Sequence, residues 1–198
     1  MKYHELRQIV TAAGYRFFNT GAYNLNIVGM RTAGDGANTF NDFVYIAFKD
    51  REGAECCLSF PATTDPGTDY RVNPINPKGT GIMAPGQHRG LFSLGLHKGQ
   101  PALVQVKPVN VYRDNNRDAV LDMDATTIEN TLGGFNMHRS RKNGTSTVVG
   151  KWSAGCQVLA SSYDMDIVIA LASKAATLYG DSFTYTLLST GPSNGKKD

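Results

Sequence analysis

Apolar positions along the chain repeat with two different periods, and the changes of period mark the elements. Near the amino terminus Leu6, Ile9, Val10 and Ala13 follow i, i+3, i+4, i+7, the stripe of an amphipathic helix. Gly14 is a natural stop, so a helix is predicted over 2–13. NLNIVGMR (24–31) is short, apolar and β-prone and reads as a strand, followed by the turn-rich TAGDGANTFND (32–42). FVYIAFKDREGAECCLSF (43–60) holds two apolar runs around a polar turn at Asp50–Gly53, the pattern of a hairpin. LFSLGLHKG (91–99) and PALVQVKPVNVYR (101–113) resume strand character, with Pro108 marking an edge or a bulge. GGFNMHRS (133–140) predicts a short strand, RKNGTSTVVGK (141–151) a polar turn and a short extended run, and SFTYTLLST (182–190) a last strand. Between them the helical period returns. Ser161 and Ser162 can cap a helix with Asp164 and Asp166 in its first turn. Ile167, Ala170, Leu171, Ala175 and Leu178 would line its buried face, and Gly180 would end it.

These elements predict a mainly β (α+β) fold with two or three short helices, without internal repeats or a coiled coil. The segment 61–90 is the least regular. It carries five of the eight prolines, which argues against a continuous helix and against a central strand. At 198 residues the chain predicts one domain spanning 1–198, with 1–23 as a helix and lead-in and 191–198 as a flexible polar tail.

Composition narrows the function classes. Hydrophobic residues make up 41% and charged residues 19%, which points to a packed core rather than disorder. A formal charge of +3 is too small to argue for nucleic acid by itself. No apolar stretch reaches the roughly 20 residues that a membrane span needs. MKYHELRQIVTAAG lacks the apolar core of a signal peptide, so synthesis in the cytoplasm without one is expected. Three cysteines, Cys56, Cys57 and Cys156, do not suggest a disulfide framework, and adjacent Cys56 and Cys57 would face opposite sides of a strand.

Cys156 stands out within VGKWSAGCQVLA (149–160), where Ser153, Ala154 and Gly155 precede it. A thiol at a glycine-containing turn differs from a packed cysteine, because backbone N–H groups there can face whatever the sulfur attacks. A nucleophilic cysteine also needs a base. Of His4, His88, His97 and His138, the last lies on the strand before the cysteine turn, and a strand, a polar excursion and a return would bring the two together. His88 and His97 flank the irregular segment and could line a cleft. The alternative is a packed Cys156 and a satisfied polar His138. Arg139, Arg141, Lys142 and Lys151 bracket the same region as a basic cluster. A second constellation is YRDNNRDAVLDMD (112–124). Asp114, Asn116 and Asp118 have the D-x-N-x-D spacing of a calcium loop, and Asp122 falls at the ninth position. Ala119 stands where such a loop wants glycine, and Ala125 where it wants glutamate. A plain Asp/Asn-rich turn is the alternative.

His138, fourteen intervening residues and Ser153-Ala154-Gly155-Cys156 resemble the signature of the L,D-transpeptidase (YkuD-like) catalytic domain. FVYIAFKDREGAECCLSFPATTDPG is similar to that family's early hairpin, and the resemblance covers residues 43–160. Ala154, Gln157 and Val158 stand where the family has histidine, a hydrophobic residue, and Asn or Arg. NLNIVGMR, TTDPG and SAGCQV also resemble blocks of phage-encoded proteins. The resemblance implies an L,D-transpeptidase-like β-sandwich or barrel and acyl transfer on peptidoglycan stem peptides by Cys156. His138 would be the base, the Gly155 and Cys156 N–H groups would bind the oxyanion, and Ser153 would fix the turn. Arg139, Trp152, His88 and His97 would contact substrate. No cofactor would be required, calcium at Asp114, Asn116, Asp118 and Asp122 being at most structural. Without a signal peptide, a phage lysis protein (an endolysin) or a delivered effector that hydrolyses the wall fits better than a cross-linking enzyme. The rivals are a wall- or virion-associated binding protein that retains the fold, and a cysteine enzyme acting on another amide.

Overall fold

The computed structural model describes residues 1–33 and 38–190. The predicted tail lies outside the described residues, as does part of the turn at 32–42. In chain order the elements are α1 (Tyr3–Ala12), β1 (Asn26–Arg31), β2 (Asp42–Lys49), β3 (Glu55–Thr63), α2 (Thr68–Val72), β4 (Thr80–Met83), β5 (Gly86–His97), β6 (Gln100–Gln105), β7 (Val109–Asp114), β8 (Glu129–Thr131), β9 (Met137–Arg139), β10 (Gln157–Leu159), α3 (Ser162–Tyr179) and β11 (Phe183–Ser189). Short 3-10 turns lie at Ala125–Thr127 and Gly150–Trp152. Among the described residues the fold is mainly β with three α-helices. Eight strands close a barrel in the order β1-β11-β5-β6-β9-β10-β3-β2, and β4, β7 and β8 form a second sheet. β1 pairs with β11, and β9 with β10, in parallel; the other barrel pairs are antiparallel.

Two apolar clusters follow from the period of two along β1 and β2. Ile27, Val44, Ile46 and Phe48 join one cluster, which continues through Phe92, Leu103, Met137, Leu159 and Tyr185 into α3 and into Val109 and Val111 of the second sheet. Val28, Tyr45 and Ala47 face the other way and pack against Tyr3, Leu6 and Val10 of α1. Both faces of these strands are therefore covered, which is why FVYIAF is an unbroken apolar run. Cys56 and Cys57 divide between the two clusters, on opposite faces, and all three cysteines are free thiols.

Several expectations need adjusting. Residues 61–90 contain a helix, a fully buried strand (β4) and the start of a twelve-residue strand. The prolines stay between the elements there, except Pro61 at an exposed position of β3. The predicted strand 101–113 is two strands of different sheets, split at Pro108. Helix α3 begins where expected, with the Ser161 hydroxyl accepting the Asp164 N–H, but it is rotated. Met165, Val168, Ala172 and Ala175 are its buried apolar residues, while Ile167 and Leu178 are exposed. Apolar residues occupy both sides of this helix, so periodicity alone could not select the face that meets the barrel.

Candidate functional site

The cysteine turn and the histidine strand meet because β9 and β10 are parallel neighbours. Gln157 pairs with Met137 and Val158 with His138. Paired residues share a face, so His138 and Val158 lie on one side while Met137, Gln157 and Leu159 are buried on the other. Cys156, two positions before Val158, is the diagonal neighbour of His138. Backbones of diagonal neighbours are about 7–8 Å apart, within reach of an imidazole.

Each side chain has a distinct environment. His138 is 5% exposed; its Nδ1 lies 2.8 Å from the Arg139 carbonyl oxygen, and its buried Nε2 has no hydrogen-bond partner among the described residues. A carbonyl can only accept, so Nδ1 carries the proton and Nε2 presents a lone pair. Burial pulls this imidazole down to about 4; the Arg139 carbonyl opposes the shift, and His97 and Lys98 add to it. His97 stacks on His138 with ring centroids 4.1 Å apart and 13° between planes. The His97 Nδ1 lies 3.0 Å from the Asn136 amide nitrogen. Half-buried Cys156 donates its S–H to the Gly134 carbonyl at 3.4 Å. Burial pushes this thiol up to about 11, and the Asn136 backbone N–H and the Lys98 ammonium offset only part of that rise. Thiol and imidazole are therefore both neutral at pH 7, and the sulfur is hydrogen-bonded to Gly134 rather than to His138.

The turn before Cys156 is built from the other sequence-predicted residues. Ser153 is fully buried; its hydroxyl accepts the Gly155 N–H at 3.1 Å and donates to the Cys156 carbonyl at 2.9 Å. That commits the Gly155 N–H, one of the two expected oxyanion donors, and leaves the Cys156 N–H for the role. Gly155 has φ +119°, and a Cβ there would overlap the Gly81 carbonyl oxygen and the Phe135 ring. Gln157 occupies the core. Its amide donates to the Gly155 carbonyl at 3.3 Å and its Oε1 accepts the Tyr185 hydroxyl at 2.7 Å.

A cavity of about 340 Å³ opens beside His138, lined by His97, Lys98, Gln100, Arg139, Arg141, Lys142 and Trp152 among others. It gathers three of the four expected substrate contacts. Arg139 is already engaged, 2.6 Å from the Asp166 carboxylate, and His97 is held against His138. His88 is not in this region. It sits near the other end of β5 from His97, nine positions or roughly 30 Å away along the strand, against the Ala84 carbonyl at 3.1 Å. A second hollow, of about 230 Å³, includes Ala154, Phe135, Gly81 and Arg113.

Asn136, Lys98, Gln157 and Tyr185 were not identified from the sequence. Alternation in Asn136-Met137-His138 was the available signal for Asn136, since it shares the face of His138. Nothing local marks Tyr185, 29 residues beyond Cys156 (185 − 156). Among the described residues, no three His, Cys, Asp or Glu side chains are grouped as a metal centre would group them. No described helix is long and apolar enough to cross a membrane. In comparisons with protein-family models, curated proteins and solved structures, nothing matches this chain.

Proposed function

We propose that the protein is a cysteine-dependent acyl-transfer enzyme acting on peptidoglycan stem peptides, hydrolysing them in a lysis or effector role. The observation that supports this most is the state of His138: neutral, fixed in one tautomer, with a free Nε2 lone pair on the strand beside the Cys156 turn. In the proposed reaction Nε2 takes the S–H proton as sulfur attacks the amide carbon. The Cys156 N–H faces the developing oxyanion. The imidazolium then protonates the leaving amine, and water attack on the thioester releases the acid and the thiol. For this the thiol must turn from Gly134 to His138, a tightening on substrate binding that apo catalytic pairs commonly show. Lys98, Arg141 and Lys142 around the cavity suit the carboxylates of stem peptides.

The test is incubation of purified muropeptides with wild-type protein and Cys156→Ala, with products followed by mass spectrometry. Cleavage by the wild type and none by Cys156→Ala is expected. Equal cleavage by both would overturn the cysteine mechanism. One observation favours a second reading, a wall-binding protein without catalysis: a thiol at about 11 that is bonded to a carbonyl is a poor nucleophile at rest. Co-sedimentation of both proteins with cell-wall sacculi, without cleavage by either, would select that reading.

A further inference from the structure

The segment that leaves β7 for β8 is not used by the cysteine chemistry, and the carboxylate from which it starts is buried with no ion-pair partner among the described residues. Asp114, the last residue of β7, is 2% exposed. Its Oδ2 accepts the Asp122 N–H at 3.4 Å, but its buried Oδ1 has no hydrogen-bond partner among the described residues. Leaving such an oxygen unsatisfied is costly, the more so when it is charged. Asp114 lines an open groove of about 520 Å³ together with Asn116 and Asp122. The Asn116 amide nitrogen donates to both the Asp118 carboxylate, at 2.9 Å, and the Asp122 carboxylate. A weak donor thus stands between two anions. Arg113 also lines the groove, but its guanidinium is engaged by Glu129 at 3.0 Å. The chemistry missing here is positive charge with a preference for oxygen.

We propose that Asp114, Asn116, Asp118 and Asp122 bind one calcium ion. Two independent observations meet in this assignment: the 1, 3, 5, 9 spacing of oxygen-bearing side chains, and the unpaired Oδ1 at position 1. The ion replaces the Asn116 N–H donor between the carboxylates, which close on it as the amide turns its oxygen inward. Among the described residues these side chains are not grouped as a finished metal centre, so the proposal requires that closure. Calcium tolerates the irregular geometry, because it takes 6–8 oxygens at roughly 2.3–2.6 Å and accepts water among them, whereas magnesium requires a near-ideal octahedron. The loop is already framed for this. Buried Arg71 donates to the Ala119 carbonyl at 2.9 Å, and Arg31 reaches the Met123 sulfur at 3.6 Å. With Ala125 where glutamate would add two more oxygens, binding is weak, with a dissociation constant of about 10⁻⁴–10⁻³ M.

Calorimetric titration of CaCl2 into the chelator-treated full chain tests this, with thermal unfolding as a parallel readout. One saturable site is expected, with a rise in Tm in about 10 mM calcium. Asp118→Asn and Asp122→Asn should each weaken binding at least about tenfold while leaving Tm in chelator unchanged, because both side chains are exposed. Absence of saturable binding, equal affinity in both variants, or an equal Tm rise with magnesium would overturn the assignment. None of these readouts depends on the cysteine chemistry.

Discussion

At position 138 an imidazole is held in one tautomer and one protonation state, and both have measurable consequences. Its folded pKa, about 4, lies below the ordinary 6.5, so the unfolded chain binds the proton more readily. The neutral side chain's advantage is present above pH 6.5 and is lost as pH falls from there through about 4. It amounts to roughly 3 kcal/mol for a shift of this size. Urea denaturation of the wild type should therefore show stability falling with acid across this window. His138→Gln should show a much shallower fall, with a remaining slope from His97, which burial also lowers. The thiol gives a second test. At about 11, the Cys156 thiol should be alkylated by iodoacetamide slowly at pH 7, at a rate still climbing beyond pH 9, followed by mass spectrometry of its peptide. A rate that is flat from pH 5 to 9 would instead show a preformed thiolate–imidazolium pair.

At the scale of elements, the short strands β9 and β10 bring the site together, and the Ser153–Cys156 turn sets its direction. Three-residue strands contribute few ladder bonds, so side chains hold the turn: Ser153 from within, and Gln157 and Tyr185 from the core. Gly155→Ala should destabilise the protein by about 2–5 kcal/mol, because it combines a left-handed φ with overlap onto the Gly81 carbonyl and the Phe135 ring. Thermal unfolding measures this directly. Since both of those neighbours border the turn, the variant should also change Cys156 alkylation, which a strain confined to a distant loop would not.

At the scale of the whole molecule, one buried arginine ties the barrel to the rest. Arg31, at the end of β1, is 2% exposed. Its Nε–H meets the Thr64 hydroxyl at 3.1 Å, with the Asp65 carboxylate 2.7 Å from the same nitrogen. Its Nη1 donates to the Met83 carbonyl of β4 and its Nη2 to the Thr64 carbonyl, each at 3.0 Å. Asp42 holds Thr64 from the other side through both its N–H and its hydroxyl. Arg31→Met keeps most of the volume but leaves Asp65 without its counter-charge and two carbonyls without their donor. A loss of about 3–5 kcal/mol is expected in urea denaturation. Adding Asp65→Asn should recover part of it, since the stranded charge is then removed.

Much of the fold was legible in the local pattern. Helix α1, the β2–β3 hairpin, the Ser161 cap and the final strand depend on neighbouring residues: apolar period, turn chemistry and capping. The site was legible in part for the same reason. A small-residue turn around Cys156 and a histidine on the preceding strand are local features. What lay outside the sequence depends on contacts between distant segments. Which side of α3 is buried, the division of 101–113 between two sheets, and the burial of β4 were decided by what packs against each. So were the parallel pairing of β9 with β10 and the burial of the charges of Arg31 and Asp114. The protonation states of Cys156 and His138 belong to this second group. The sequence supplies a thiol and an imidazole with ordinary affinities for protons, and only their burial in the folded barrel moves one up to about 11 and the other down to about 4.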